Sequence, residues 1–240
     1  ARLILVGDVY QLPSVGPGAV LADLIAAGAV ATFDLTTVYR QARRSEIVAH
    51  AHRIRRGESP DIDIAPSAGA VDLDDGGDFY FVPVESPAAA AEQVVSLCSR
   101  KLPDAFGLNP LADIQVLTPM HKGEAGTLQL NQALQAALNP KPAAGREAHP
   151  SADTNGRLRA GDKVIQMRND YAKEVFNGEV GAVKEMAAGG KQMVVMFEGR
   201  ELTYEKEELE ELSLAYAISI HKSQGSEYPA VVIPLVTQHY

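Results

Sequence analysis

The sequence predicts an α/β protein: a parallel sheet covered by helices, carrying a compact β-rich insertion. Three observations predict it. Apolar strand-like runs alternate with helix-period segments through the first 140 or so residues, the pattern of parallel strands buried under helices. From about residue 153 to 212 the pattern changes to short strand-like runs divided by turn signals such as Asn177-Gly178 and Gly189-Gly190. The α/β pattern then returns at 214–220 and 231–236.

Taken in order, the run Leu3-Ile4-Leu5-Val6 ended by Gly7-Asp8 reads as a buried parallel strand entering a loop. A short helix is expected over 24–30 and a second strand over 32–38, ending at Tyr39-Arg40-Gln41. Ser45 caps a helix with Ile47, Val48, Ala51 and Ile54 on one face; Arg53, Arg55 and Arg56 suit its C-terminal dipole, and Gly57 stops it. Residues 58–78 read as a loop and 79–84 as a strand. Ser86-Pro87 is a cap followed by proline at the first helical position, and that helix runs to about Lys101. The strand 114–117 ends at Thr118-Pro119, and a helix bearing Leu130, Leu134, Ala137 and Leu138 follows until Asn139-Pro140. Within the insertion, runs at 163–167, 179–186, 192–197 and 201–204 make a small β-barrel.

Composition narrows the function classes. With 240 residues and 46% hydrophobic content the chain can bury a core for one large domain or two small ones. No run approaches the roughly 18 apolar residues of a membrane span, and residues 1–10 lack a signal-peptide pattern, so no membrane partner and a cytoplasmic location are expected. Cys98 is the only cysteine, which excludes an intrachain disulfide. The formal charge of -9 opposes a broadly basic nucleic-acid surface. It still permits a local basic groove, with the acidic runs 72–78 and 205–211 elsewhere. His50 and His52, spaced i, i+2 on a helix, point apart, and no Cys/His cluster or nucleophile elbow occurs, so metal sites and Ser/His/Asp chemistry have no anchor.

Ligands of open α/β sheets bind beyond the C-terminal strand ends, and four such places carry polar groups. At Gly7-Asp8-Val9-Tyr10-Gln11 a turn projects an acid and an amide, and a glutamine can orient water or contact a phosphate oxygen; Gly-Asp alone better suits an ordinary turn. At Val38-Tyr39-Arg40-Gln41 a guanidinium arrives before a helix, its fork suited to a terminal phosphate or to a surface ion pair. Thr118, His121 and Lys122, with Asn131 on the next helix, supply the groups that hold a strand by its phosphates, or simply a cap and a solvated lysine. The densest place is Ser219 to Tyr228. There His221, Ser223 and Gln224 suit a DNA backbone, and Glu227 suits ribose hydroxyls.

Together, Gly-Asp-x-x-Gln-Leu-Pro-Ser-Val-Gly-Pro-Gly (7–18), Val-Tyr-Arg-Gln-Ala (38–42), Leu-Thr-Pro-Met-His-Lys-Gly (117–123), Asn-Asp-Tyr (169–171) with Phe-Asn-Gly-Glu-x-Gly (176–181), and His-Lys-Ser-Gln-Gly-Ser-Glu-Tyr (221–228) resemble the RecD-like branch of superfamily 1 helicases, the exodeoxyribonuclease V alpha family. Each motif alone is weak; their order and spacing match over almost the whole chain. The resemblance implies two RecA-like domains with ATP and Mg²⁺ between them, 5′ to 3′ movement on single-stranded DNA in recombination and repair, and an SH3-like barrel inserted in the second domain. It divides the chain into a remnant of the first RecA-like domain (1–40), the start of the second (41–150), the barrel (153–212) and the second domain continued (213–240). By the family pattern Gln11 and Arg40 are the catalytic residues. Asp8, Gln11, Arg40, Gly225 and Glu227 meet nucleotide, and Thr118, His121, Lys122, Asn131, His221, Ser223 and Gln224 lie along DNA.

The chain also departs from the family pattern. No Gly-x-x-x-x-Gly-Lys-Ser/Thr loop occurs, nor the family's Asp-Glu pair for Mg²⁺ or its final arginine motif. The chain therefore reads as a C-terminal piece of a longer helicase, binding nucleotide weakly and hydrolysing none alone. The same fold also suits a non-enzymatic DNA-binding or partner-docking module of a relaxase or multi-subunit nuclease, and nuclease–helicase subunits are the partners expected besides DNA.

Overall fold

The computed structural model describes residues 3–12, 16–35, 45–60, 73, 76–141, 157–187 and 192–237. By contacts the chain forms two compact units, Ala1–Pro83 and Val84–Tyr240.

In the first unit the described residues hold two helices. Helix α1, Val20–Ala26, starts and ends earlier than the 24–30 expected, because Gly28 takes a left-handed φ of 61° and its N–H closes on Ile25 O. Helix α2, Glu46–Arg55, begins where expected: the Ser45 hydroxyl accepts from Val48 N. Asp78 reinforces that end, accepting from the Ser45 hydroxyl and from the Glu46 and Ile47 amides at 2.5, 2.7 and 3.3 Å. Burial opposes the charge on Asp78, but these hydrogen bonds outweigh it and hold its carboxyl below the usual range.

Three strand expectations are corrected here. Residues 3–6 are extended but join no ladder among the described residues, and Leu3, Ile4, Leu5 and Val6 are 83, 85, 52 and 94% exposed. Residues 32–35 and 79–84 are likewise outside any strand, and 36–38 lie outside the described residues. An apolar run is a strand only where a neighbour accepts its backbone hydrogen bonds, and the run alone does not encode that neighbour.

The second unit holds the sheets. Helix α3, Pro87–Ser96, widens into a π turn, Leu97–Lys101, and continues as α4, Leu102–Phe106. The wide turn precedes Pro103, which has no N–H to return to the turn before it. Strand β1, Ile114–Thr118, is followed by helix α5, Thr127–Leu138. The antiparallel strands are β2 Lys163–Gln166, β3 Val180–Met186, β4 Gln192–Phe197, β5 Arg200–Glu205 and β6 Leu212–Leu214; two parallel ones follow, β7 Ala217–Ser219 and β8 Ala230–Val232. The parallel sheet runs β7-β1-β8, with β1 central and buried. The antiparallel sheet runs β5-β4-β3-β2-β6.

Period-two patterning builds the antiparallel sheet. Met193, Val195 and Phe197 on β4 are fully buried and pack with Leu158, Val164, Val183, Tyr204 and Leu212. Strand β2 is buried on both faces because it serves two cores: Val164 enters this one, whereas Ile165 packs with Ala215 and Ile218 of the α/β part. Lys163 also faces that side. Its Nζ donates to Ile114 O of β1 at 3.1 Å, and burial pushes the ammonium down to about 8. Glu198 and Gly199, with φ of 42° and 83°, form the two-residue turn between β4 and β5. A side chain at Gly181 would place its Cβ 2.6 Å from Met196 O and 2.8 Å from the Phe197 ring. Gly181→Ala is expected to cost about 1–3 kcal/mol by overpacking, read as a lower urea midpoint at unchanged slope.

Candidate functional site

The register of the parallel sheet decides where the polar loops lie. Thr118, the last residue of β1, pairs with Ser219, the last residue of β7. The loops 119–126 and 220–228 therefore leave side by side from the C-terminal edge, where open α/β sheets bind ligands.

The first loop is shaped from within. Thr118 is fully buried and its hydroxyl donates to Ala125 O at 2.7 Å. The chain folds back so that Thr127 N reaches Met120 O at 3.0 Å and Leu128 N reaches His121 O at 3.2 Å. Gly126 is required by this fold-back, since a Cβ there would run into the carbonyls of His121 and Lys122. His121 Nδ1 lies 2.7 Å from the Thr127 hydroxyl, and Lys122 is exposed.

The second loop begins with a single 3-10 turn, Ile220–Ser223, capped by the Ser219 hydroxyl accepting from Lys222 N at 3.4 Å. The Ser223 hydroxyl donates to Ile220 O at 2.8 Å. His221, Gln224, Gly225 and Glu227 are exposed, and Gly225 has a φ of 85° with open space about it. Lys222 turns towards the antiparallel sheet, donating to Met167 Sδ at 3.1 Å and Asn177 Oδ1 at 3.3 Å; burial holds its ammonium below the usual lysine value.

Between the loops and the antiparallel sheet lies a cleft of about 510 Å³. His121, Thr127 and Asn131 line one side, Met167 and Ser213 the other, and Ser219 and Lys222 lie at its strand-tip end. Asn131 does not offer its amide to the cleft. It grips β7, donating to Ala217 O at 2.8 Å and accepting from Ala217 N at 2.9 Å. Thr118 and Asn131 thus hold backbone, while His121, Lys122, His221 and Gln224 present polar groups outward. Sequence reasoning missed Met167 and Ser213 as lining residues; the one available signal was the neighbouring Asn-Asp-Tyr motif.

In the first unit Asp8 and Gln11 are both exposed on one turn: Asp8 Oδ1 accepts from Tyr10 N at 2.9 Å, and Gln11 N reaches Asp8 O at 3.3 Å. The Arg55 guanidinium covers the Tyr10 ring at 4.1 Å. Arg40 lies outside the described residues. Among the described residues no group of metal ligands occurs, and no helix is long and apolar enough to cross a membrane.

Comparison with known proteins defines the class of this molecule. Three family descriptions match in chain order: an AAA domain at 1–75, the ATP-dependent RecD-like DNA helicase SH3 domain at 130–197, and a UvrD-like helicase C-terminal domain at 214–240. The ATP-dependent RecD2 DNA helicase of Deinococcus radiodurans is 37% identical over all of this chain, which spans 29% of that protein. The RecBCD enzyme subunit RecD of Mycolicibacterium smegmatis is 30% identical over 99% of this chain and 40% of its own length, and that of Mycobacterium tuberculosis is 30% identical over 97% and 40%. The crystal structure of Bacteroides Pif1 helicase with ADP-AlF3 and ssDNA aligns over 95% of this chain and 54% of that one, at 18% identity and a TM-score of 0.47. The chain carries a match to the RecD-like helicase SH3 domain and is similar over its whole length to RecD-like helicases. It spans about 29–40% of the length of the curated relatives it matches.

Proposed function

We propose that this chain is part of an ATP-driven motor that moves 5′ to 3′ along single-stranded DNA in recombination and repair, and that the cleft of the second unit holds the strand. The observation that carries this reading is the Thr118–Ser219 register, which puts His121 and Lys122 beside His221, Lys222, Ser223 and Gln224 at one sheet edge. Short polar side chains and lysines at such an edge suit a phosphodiester backbone. In a protein of formal charge -9 this local cluster, rather than the whole surface, is the means of attraction.

Within that reading His121, Lys122, His221, Ser223 and Gln224 touch the backbone. Thr118 and Asn131 are positioning residues: one fixes the loop that carries His121 and Lys122, the other fixes β7 beneath the second loop. Asp8, Gln11 and Arg40 serve the γ-phosphate of ATP, with Gln11 and Arg40 catalytic, and Gly225 and Glu227 serve the ribose. The exposed side chains of Asp8, Gln11 and Glu227 fit contacts to a nucleotide, whose phosphoryl transfer supplies the work when it is bound with Mg²⁺. No Gly-x-x-x-x-Gly-Lys loop stands among these 240 residues, so by themselves they bind nucleotide weakly and turn none over. The domain divisions 1–40, 41–150, 153–212 and 213–240, nuclease–helicase subunits as further partners, and a cytoplasmic setting complete the proposal.

Fluorescence anisotropy of a short dT oligonucleotide across a salt series tests it. The chain binds at low salt, and Lys122→Ala with His221→Ala weakens binding and flattens the salt slope by about 0.7 or more, one single-strand phosphate contact or more. Binding equally tight in the double variant, or none by the unsubstituted chain, contradicts it.

A further inference from the structure

Apart from Asn177, which accepts from Lys222, the Asn-Asp-Tyr and Phe-Asn-Gly-Glu segments have no role in the site above, yet they form a tightly determined structure. Asp170 and Val175 exchange both backbone hydrogen bonds, at 2.8 and 3.1 Å, closing a short turn. Asp170 Oδ1 accepts from Ala172 N and Lys173 N, and Arg200 donates to Glu174 O at 2.7 Å, holding Glu174 at a φ of 54°. Phe176 N reaches Glu179 Oε1, Asn177 N reaches Asn169 Oδ1, and Gly178 N reaches Gln166 O, each at 2.9 Å. Val175 is fully buried in the core below.

On this fixed base two aromatic rings face outward. Tyr171 is 75% exposed and Phe176 45% exposed, packed edge to face with centroids 6.0 Å apart. The core beneath is filled by Val175, so the rings are not held out by want of a fold. Their neighbours are polar: exposed Arg168 and Asn169 on one side, and Asn177, which accepts from Lys222, on the other. Lys222, which lines the cleft beside Met167, joins it to Asn177, the residue after Phe176.

We propose that Tyr171 and Phe176 are a stacking platform for a nucleobase of the single strand held in the cleft, a role that rests on the single-stranded DNA reading above. A base offers a π-face to the rings and polar edges to Asn169, Asn177 and Arg168. Stacking of this kind is tolerant of sequence and adds to backbone contacts without using charge. The platform therefore grips bases while the two loops grip phosphates.

The test compares a dT oligonucleotide with one of the same length carrying abasic sites, binding the full 240-residue chain. Tyr171→Ala is expected to weaken dT binding about 5- to 30-fold, with the salt slope unchanged and little effect on the abasic strand. Phe176→Ala acts in the same direction. Tyr171→Phe restores most of the affinity, and Phe176→Leu, which keeps apolar bulk, does not. Unchanged dT affinity in the alanine variants, while Lys122→Ala with His221→Ala weakens it, overturns the platform and leaves the DNA reading standing. Equal losses on dT and abasic strands, or a melting temperature lowered in step with affinity in both the alanine and the leucine variants, assign the rings to loop structure and also overturn it. No binding of either strand by the unsubstituted chain removes the DNA reading and the platform together.

Discussion

Asp162→Ala is expected to lower the unfolding free energy by about 2–5 kcal/mol, more than the loss of any one of its hydrogen-bond partners. The Asp162 carboxylate is fully buried and accepts four hydrogen bonds: from Gln135 Nε2 at 2.6 Å, Asn139 Nδ2 at 2.7 Å, Arg159 N at 2.7 Å and the Tyr216 hydroxyl at 2.9 Å. These donors come from α5, from the approach to β2 and from the residue before β7, so one side chain joins the antiparallel sheet to the α/β part. Alanine leaves the Arg159 amide and the Tyr216 hydroxyl without this acceptor, while Gln135 Nε2 and Asn139 Nδ2 keep only Arg157 O and Ala160 O, each at 3.0 Å; the lost bonds and the desolvation of the two orphaned donors set the size of the effect. Burial, and after it the Asp162 charge, raise the Tyr216 phenol, which remains a donor at ordinary pH. Tyr216→Phe removes one donor and is expected to cost only about 0.5–1.5 kcal/mol. By contrast the half-exposed pair Lys184–Glu201 on the sheet surface is screened by solvent, and replacing either partner is expected to leave the urea midpoint nearly unchanged. Urea denaturation followed by circular dichroism checks all three. A loss below about 1 kcal/mol for Asp162→Ala would show that water or neighbouring backbone replaces the carboxylate.

The second large effect is on binding. Lys122→Glu with Lys222→Glu is expected to reduce affinity for single-stranded DNA roughly 100-fold at about 50 mM salt, and several-fold less at about 200 mM, because the first reversal removes a phosphate contact and both place a repulsion at the cleft that salt screens. Lys222 adds a pH signature. Its folded ammonium is held below the usual lysine value by burial, so its contribution to binding is full at neutral pH and begins to fall, as pH rises, before that of an exposed lysine. Anisotropy at stepped salt and alkaline pH reads both. An affinity loss that does not shrink with salt would mean that the variants disturb the loops rather than the electrostatics.

Local signals in the sequence carried much of this architecture. The Ser45 cap, the Ser86-Pro87 start and the strand-like run 192–197 each have a physical cause inside a few residues, and each stands where expected. Residues 3–6 and 79–84 do not, because strand pairing is a property of neighbours and an apolar run is silent about them. The site divides in the same way. That Thr118, His121 and Lys122 share an edge with His221 and Lys222 follows from parallel strands whose polar residues sit at their ends. That Thr118 and Asn131 turn inward does not follow, since a hydroxyl or an amide serves a backbone carbonyl as well as a ligand. Asp162 was invisible for a related reason: beside Gly161, ahead of a strand, it reads as a turn residue, and its four donors come from positions up to 54 residues away. Arg40, singled out in sequence, lies outside the described residues.

The most direct test of the central claim, that one edge of the second unit carries the strand, is a titration of the ¹⁵N-labelled chain with a dT oligonucleotide followed by amide chemical shifts. Saturable shifts are expected at 119–126, 167–178 and 219–227, with the acidic turn Lys206–Glu211 unmoved. Shifts confined to other surfaces, with those three segments silent, would contradict the account.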